Sequence, residues 1–362
     1  MLAFRVKIAA LILFLALAIP PQGVAFSAPQ HSELNVVLIC WDGVKQDHLY
    51  SLLSQGRMPN AARLVSEGGI MNLTVDDHIT ETTPGHVEML TGYPPNITGA
   101  YSNLQYSIIP SNLTVFERLK GYFGKNEIST VMLTGKPLII EYITDPSQLE
   151  VINWTMNETH PFYTARSSID SLDLNRANAS VVGSKAVAYF GLYKDIKSFM
   201  FIHFRDPDNA GHDFGENSEE YDAAIVECDC WLGTMLSTLQ SLGTYNRTII
   251  YVMTDHGFNE GEHGHSYAPD IWLITNDPCI NSSITGYQSD IAPTIYAKFG
   301  IDSASFSPQL PGRSLTSLTI IPGGCLVEGI AAQVIGVAIA VAATVVTIFL
   351  LRKSLGKPFS TA

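Results

Sequence analysis

Acidic and histidine side chains occur in three short runs whose residue types suit the binding of divalent cations. One run, Cys-Trp-Asp-Gly, contains Asp42. Another run, Thr-Asp-His-Gly, contains the adjacent pair Asp255 and His256. The five residues are Asp42, Asp208, His212, Asp255 and His256. Carboxylate oxygens and imidazole nitrogens are common ligands of zinc in proteins. A capped turn with a surface histidine gives the same pattern, so each run alone is weak evidence of a metal site.

The middle run, DPDNAGHDFG, covers residues 206–215. Asp208 and His212 are four residues apart, a spacing that places two side chains on one face of a helix. Pro207 and Gly211 nevertheless favour a loop over a helix. A loop can also bring both side chains to one ion, and an acidic turn with a solvated histidine is the alternative interpretation.

A hydroxyl nucleophile is available in the run TETTPGHVEMLTG, residues 80–92. Pro84 suits the first position of a helix, which would place Thr82 and Thr83 at the helix N-terminus, where free N–H groups and the helix dipole favour an anion. A hydroxyl group there can attack phosphorus if a metal ion lowers its pKa. The alternative is that these threonines only cap the helix, which is the favoured interpretation for Thr83.

The segments that carry these runs alternate short apolar strands with helices. This pattern predicts an α/β domain with a mainly parallel central sheet and helices on both faces. The predicted strands are residues 35–40, 129–133, 198–204, 248–253 and 271–274, and the predicted helices are 60–66, the segment after Pro84, 218–242 and 290–299. Asp42, Asp208 and Asp255 follow three of these strands, and the carboxyl ends of parallel strands form the ligand crevice of such sheets. The sequence therefore predicts that the three runs converge.

Taken in order, these runs resemble the alkaline-phosphatase superfamily, and within it the type I phosphodiesterase/nucleotide pyrophosphatase branch. The matching residues are Asp42, Thr82 to His86 with Thr91 to Pro94, Pro207 to His212, Asp255 to Gly257, and His263 or His265. The segments 290–301 and 311–315 resemble the closing helix and loop of the family, so the resemblance covers most of residues 35–315.

The resemblance implies two divalent metal ions, with zinc as the favoured metal. One ion would be held by Asp42, Thr82, Asp255 and His256, and the other by Asp208, His212 and a third histidine. His265 is preferred as that histidine because it leads into the apolar strand 271–274, and His263 is the alternative. The resemblance also implies that Thr82 attacks phosphorus and that water hydrolyses the resulting phosphothreonine. Asn103 would donate a hydrogen bond to a phosphoryl oxygen, unless it is only a turn residue.

The expected substrate is a phosphate diester or a pyrophosphate. Hydrolysis of phosphate monoesters or transfer of a phospho-alcohol head group is an alternative within the superfamily, although no arginine lies beside Thr82 in the sequence. Thr83 and Gly85 replace the Phe and Asn that are common in nucleotide pyrophosphatases, which argues against specificity for nucleotides. The alternative of another class is an inactive surface glycoprotein on a hydrolase fold.

The two ends of the chain predict an attachment to a membrane. Residues 1–28 have the basic, apolar and small-residue regions of a signal peptide, and residues 329–351 are long and apolar enough to span a bilayer. The basic tail 352–362 would face the cytoplasm, which leaves a catalytic domain at 29–322 on the outer side of a cell membrane. Eight acceptor triplets for N-glycosylation agree with this placement: Asn72, Asn96, Asn112, Asn153, Asn157, Asn178, Asn246 and Asn281.

Composition limits the remaining functions. The net charge of −13 and the lack of a basic cluster outside the tail argue against a nucleic-acid-binding groove. The five cysteines permit one or two disulfides, but sequence does not give their pairing. The segment 138–180 is expected to be an exposed insertion, with a substrate rim as the alternative.

Overall fold

The computed structural model describes residues 34–137, 156, 158–174 and 176–316. The predicted signal peptide 1–28, the predicted membrane helix 329–351 and the predicted tail 352–362 lie outside this part of the chain. Across the described ranges, the search for a helix long and apolar enough to cross a membrane finds none.

A central sheet of eight strands organises the domain. The strands are β1 Asn35–Trp41, β2 Gly69–Thr74, β3 Ser129–Thr134, β4 Ser171–Leu174, β5 Ser198–Phe204, β6 Thr248–Met253, β7 Asp270–Thr275 and β8 Gly286–Tyr287. Their order is β4-β3-β5-β1-β6-β7-β2-β8. The first five strands of this order are parallel, whereas β7 runs antiparallel to both β6 and β2. The predicted mainly parallel sheet is therefore confirmed, with a mixed edge that the sequence did not indicate.

Helices cover both faces of this sheet, as predicted. They are α1 Gln46–Ser54, α2 Pro59–Glu67, α3 Thr82–Thr91, α4 Pro95–Thr98, α5 Val115–Phe123, α6 Ala179–Leu192, α7 Asp206–Phe214, α8 Glu219–Ser241 and α9 Ile291–Lys298. Alternate residues of β1 belong to two separate cores. Val36 and Leu38 pack with residues of α3, α5 and α9, while Val37 and Ile39 pack with residues of α1, α2, α6 and α8.

The helix α7 corrects the prediction of a loop at residues 206–215. Pro207 lies in the first turn, where backbone N–H groups have no partner within the helix, so proline costs little there. Gly211 faces the ring of Phe258, and a Cβ atom at this position would lie 2.6 Å from Phe258 Cζ. Glycine is thus required by close packing, and Asp208 and His212 share one helical face.

The N-terminus of α3 also differs from the prediction. The helix begins at Thr82, so Pro84 is its third residue and not its first, and Glu81 occupies the N-cap position. Thr83 is therefore not the N-cap, and its backbone N–H donates instead to Asn103 Oδ1 at 2.8 Å. A Cβ atom at Gly85 would lie 3.0 Å from Asp255 Cβ, so α3 packs directly on the residues that follow β6.

The predicted insertion 138–180 is partly built into the domain. Among its described residues, β4 pairs with β3 at the edge of the sheet, and the Phe162 side chain is fully buried. An edge strand and a core aromatic residue are not features of a wholly exposed insertion. Outside the insertion, Cys40, Cys228 and Cys230 are free thiols, and Cys279 is in a disulfide.

The acceptor asparagines that the structure describes lie at or near the surface. Asn72, Asn96, Asn112, Asn178 and Asn246 are exposed, and Asn281 is half-buried. Asn153 and Asn157 lie outside the described residues. Glycosylation of these positions stays a prediction.

Candidate metal centre

Three buried aspartates meet at the carboxyl ends of the central strands. Asp42 follows β1, Asp208 lies in α7 directly after β5, and Asp255 follows β6. The Gly43 backbone N–H donates to Asp255 Oδ1 at 3.1 Å, which ties the segment after β1 to the segment after β6. The parallel pairing of β1 with β5 and β6 is therefore what brings the three carboxylates together.

The first predicted ligand group is assembled around Asp42 Oδ1. The Thr82 hydroxyl oxygen lies 3.5 Å from this atom, and His256 Nε2 lies 3.4 Å from it. The same His256 nitrogen lies 3.6 Å from Asp255 Oδ2. All four residues that were predicted to share one ion thus have side chains at one place.

The second predicted group forms a triangle of potential ligand atoms. Asp208 Oδ1 lies 3.3 Å from His212 Nε2 and 3.6 Å from His265 Nε2, and the two histidine nitrogens are 3.1 Å apart. His263 is exposed, and its Nδ1–H donates to the His212 backbone oxygen at 2.9 Å. The structure therefore places His265, and not His263, beside Asp208 and His212.

Lys136 connects the two groups, and the sequence analysis missed it. Its Nζ atom lies 2.9 Å from Asp42 Oδ2, 2.6 Å from Asp208 Oδ2 and 3.4 Å from the Thr82 hydroxyl oxygen. Lys136 follows β3, which lies beside β5 in the sheet. The strand-end argument that identified the aspartates would also have identified this lysine, had it been applied to basic residues.

Charge balance in the centre shifts several pKa values. Burial and the neighbouring Asp42 raise the pKa of Asp255 to about 6. Burial lowers the pKa of His256, but Asp255 and Asp42 outweigh this effect and raise it to about 10. Burial also opposes the charge of Lys136, yet Asp208 and Asp42 raise its pKa above the ordinary value. At neutral pH, the carboxylates are thus compensated by an ammonium group and an imidazolium group.

The histidines are oriented as metal ligands usually are. The Nδ1 atoms of His212, His256 and His265 contact the backbone oxygens of His263, Gly257 and Thr80 at 2.6, 3.0 and 2.6 Å. A histidine that binds a metal commonly donates its other N–H to a carbonyl or a carboxylate in this way. When a bound cation replaces the proton on Nε2, each ring can therefore present its Nε2 lone pair to the centre.

Unpartnered buried atoms indicate that a cation fits this site. Asp208 Oδ1, Asp255 Oδ2 and His256 Nε2 are buried and have no hydrogen-bond partner among the described residues. An unsatisfied buried polar atom costs about 1–3 kcal/mol, and more when it is charged. Ligand atoms of Asp42, Asp255 and His256 lie within 4.8 Å of one another, and so do those of Asp208, His256 and His265. The donor types and their spacing fit divalent cations such as zinc.

Asn103 lies next to the N-terminus of α3. Its Oδ1 accepts the hydrogen bond from Thr83 N–H, so Nδ2 is the atom that can donate to a ligand. The Asn103 side chain is half-buried in a loop that also contacts Glu81. The structure thus places Asn103 against Thr83, the residue that follows Thr82.

Two neighbouring histidine variants test the choice between His265 and His263. We expect His265→Ala to lower the affinity for zinc at least about 100-fold, because it removes a direct ligand as well as its anchored ring. His263→Ala should change the affinity less than about threefold, since that ring faces solvent. Competition with a fluorescent zinc chelator measures both values, and a larger loss in His263→Ala would reverse the assignment.

Comparisons with known proteins identify the family. The sequence matches the family model for type I phosphodiesterase/nucleotide pyrophosphatase over residues 36–278. It is 21% identical to bis(5'-adenosyl)-triphosphatase ENPP4 of Homo sapiens over 254 residues, which are 69% of this chain and 51% of ENPP4. It is 23% identical to ectonucleotide pyrophosphatase/phosphodiesterase family member 3 of Rattus norvegicus, covering 65% of this chain and 27% of that protein. The chain thus spans about half the length of ENPP4.

Solved structures share the fold. A 2-O GAG sulfatase superposes with a TM-score of 0.55 at 15% sequence identity, covering 78% of this chain and 73% of the sulfatase. The phosphonate monoester hydrolase of Silicibacter pomeroyi superposes with a TM-score of 0.52 at 14% sequence identity, covering 78% of this chain and 76% of the hydrolase. These likenesses support the alkaline-phosphatase-like fold alone. Because the family model covers more than half of the 362 residues, the chain belongs to the type I phosphodiesterase/nucleotide pyrophosphatase family.

Proposed function

We propose that this protein hydrolyses phosphate diesters or pyrophosphates with Thr82 as the nucleophile. The observation that carries the proposal is the position of the Thr82 hydroxyl, which lies between Asp42 and Lys136 at the N-terminus of α3. Membership of the family supports the reaction class, and the family is metal-dependent. A threonine that only began the helix would not need the buried carboxylate of Asp42 and the ammonium group of Lys136 beside its hydroxyl group.

The chain prepares Thr82 for attack in two ways. Its hydroxyl oxygen is fixed by α3, which Gly85 allows to pack against Asp255. The dipole of α3 favours the negative charge of a phosphoryl group that binds at the helix N-terminus. Attack of the oxygen on phosphorus would form a phosphothreonine and release the first alcohol or phosphate, and water would then release the second product.

The residues that would hold two divalent ions are the two groups described above. Asp42, Thr82, Asp255 and His256 would hold one, and Asp208, His212 and His265 would hold the other. Bound ions would lower the pKa of the nucleophile and neutralise charge on the phosphoryl oxygens. Asn103 Nδ2 would donate to a phosphoryl oxygen, which supports the transition state by hydrogen bonding.

A substrate pair tests the reaction class. We expect the purified full chain, loaded with zinc, to hydrolyse bis-p-nitrophenyl phosphate with a kcat/KM at least about tenfold above that for p-nitrophenyl phosphate, a difference of about 1.4 kcal/mol in transition-state binding. Treatment with a chelator should abolish both activities, and added zinc should restore them. A preference for the monoester would contradict the proposal, and so would activity that survives complete removal of metal.

Lys136 supports a second candidate, the hydrolysis or transfer of a phosphomonoester group. A monoester carries one more negative charge than a diester, and a cation beside the nucleophile stabilises that charge. The sequence contains no arginine beside Thr82, but the Lys136 ammonium group lies 3.4 Å from the Thr82 hydroxyl oxygen. This lysine can therefore fill the role that an arginine performs in related monoesterases.

Neutralising Lys136 distinguishes the two candidates. If the lysine recognises a dianionic phosphoryl group, Lys136→Met should lower kcat/KM for p-nitrophenyl phosphate about 100-fold and for the diester much less. Equal losses for both substrates would assign Lys136 to the charge balance of Asp42 and Asp208 instead. Lys185→Met is a matched control, because Lys185 pairs with Asp173 in the edge strand β4, away from Thr82.

We further propose that the reaction takes place on the outer face of a membrane. The sequence patterns at 1–28 and 329–351, together with the basic residues that follow, support this orientation. The substrate would then be an extracytoplasmic phosphate ester.

A further inference from the structure

A second cluster of metal-binding residue types lies directly behind the candidate metal centre. It consists of Cys40 in β1, His203 in β5 and His86 in α3. Cys40 and His203 are register partners on adjacent parallel strands, so their side chains point to the same face of the sheet. The helix α3 covers this face and adds His86. One potential ligand atom from each residue lies within 4.8 Å of the others.

The polar atoms of this cluster are not satisfied by the protein. All three side chains have no exposed surface. Both ring nitrogens of His86 and the Nδ1 atom of His203 have no hydrogen-bond partner among the described residues. The two rings contact each other edge-on, with centroids 4.4 Å apart, but this contact uses no nitrogen lone pair. Unsatisfied buried polar atoms destabilise the folded state, so a ligand for these atoms would stabilise the fold.

The orientation of His203 matches that of a metal ligand. Its Nε2 lies 3.0 Å from Asp42 Oδ2, and donation of the Nε2–H to this carboxylate leaves the lone pair on Nδ1. A carboxylate-anchored imidazole with its other nitrogen directed at a cation is a recurrent arrangement in metalloproteins. Asp255 Oδ2 lies 3.6 Å from both His86 Nε2 and His256 Nε2, so the Asp255 carboxylate adjoins both this cluster and the candidate metal centre.

We propose that Cys40, His86 and His203 bind an additional transition-metal ion, with zinc as the favoured species. Thiolate sulfur and imidazole nitrogen are both ligand atoms that zinc accepts in proteins. Binding converts the Cys40 thiol to a metal-bound thiolate, and the displaced proton passes to water. The ion would fix the ring of His203 and, through it, the carboxylate of Asp42.

The burial of the three side chains predicts that this ion exchanges slowly with solvent. The three side chains are fully enclosed, whereas the His212 side chain in the candidate metal centre is 43% exposed. An ion at the enclosed cluster would be captured as the chain folds and would leave only when the fold opens. It should therefore resist a chelator for longer than the ion at Asp208 and His212.

Cobalt provides a direct test, because a cobalt–thiolate bond gives a charge-transfer absorption in the near ultraviolet. The full chain is produced in cobalt-supplemented medium, and its metal content is measured by mass spectrometry. We expect the unmodified protein to show this absorption. Cys40→Ser should lose the absorption together with about one equivalent of metal. Cys228→Ser is the matched control, because Cys228 is another fully buried free thiol but belongs to the opposite core.

The outcomes separate this proposal from the proposed function. Asp208→Asn should lose metal from the candidate metal centre but keep the cobalt–thiolate absorption. No thiolate absorption in the unmodified protein, with equal metal content in Cys40→Ser, would overturn the additional site and leave the two-ion centre intact. Because the absorption is measured first in the unmodified protein, misfolding of a variant cannot hide a negative result.

Discussion

Thr82→Ala is expected to reduce diester hydrolysis by at least about 10³-fold, because it removes the atom that attacks phosphorus. The rest of the centre should persist, since Asp42, Asp208 and Asp255 are held by the ends of β1, β5 and β6. Steady-state kinetics with bis-p-nitrophenyl phosphate measures the loss. Mass spectrometry of the acid-quenched reaction should show a phosphorylated peptide that contains Thr82 in the unmodified protein and not in the variant.

The variants Thr82→Ser and Thr83→Ala show whether the loss of activity is specific to the Thr82 hydroxyl group. Thr82→Ser retains a hydroxyl group and should keep activity within about tenfold of the unmodified protein. Thr83→Ala should have a similarly small effect, because Thr83 contributes its backbone N–H to Asn103, and alanine keeps that group. If Thr82→Ala remained as active as Thr83→Ala, Thr82 would not be the nucleophile.

Asp208→Asn is expected to lower kcat/KM by about 10³-fold, or roughly 4 kcal/mol of transition-state stabilisation. The amide is nearly the same size as the carboxylate, but it loses the charge that faces His212, His265 and Lys136. We also expect the variant to bind one equivalent of zinc fewer than the unmodified protein. Kinetics and metal analysis of the same preparation measure both effects.

Asp229→Asn serves as the control for a buried aspartate outside the centre. Asp229 accepts hydrogen bonds from the Ala61 and Asn60 backbone N–H groups at 2.7 and 3.2 Å, so it stabilises the start of α2. This variant should unfold at lower denaturant concentration and yet keep its zinc content and its kcat. Full activity and full zinc content in Asp208→Asn would remove Asp208 from the metal centre.

The sequence predicted the site best where the apolar pattern of a strand and the parallel order of the sheet point to the same residues. The apolar runs of β1, β5 and β6 end at Asp42, Asp208 and Asp255, and parallel strands bring such ends together regardless of detailed packing. The helix α7 could not be predicted in the same way, because Gly211 opposes a helix locally. It is needed there for the close approach of Phe258, a residue distant in sequence. Tertiary packing overrides the local preference at this position.

Lys136 and the pair His263 and His265 show two further limits of prediction from the sequence. Lys136 follows β3 between Gly135 and Pro137, and its place at a strand end was the one signal in the sequence that connects it with the site. The two histidines are separated by one residue, and their spacing does not decide which one turns inward. The contact of His265 Nδ1 with the Thr80 backbone oxygen turns His265 inward. This contact depends on the packing of two separate loops.

The central position of β1 has a consequence for how the protein is made. Asn35 and its neighbour Ser198 in β5 are 163 residues apart in the chain. At synthesis rates of about 5–20 residues per second, the nascent β1 segment waits roughly 10–30 s for its first partner strand in the sheet. During this interval an apolar segment is unpaired on both edges, a condition that favours aggregation. The first strand of the growing chain therefore stays unpaired until residues beyond 200 have emerged.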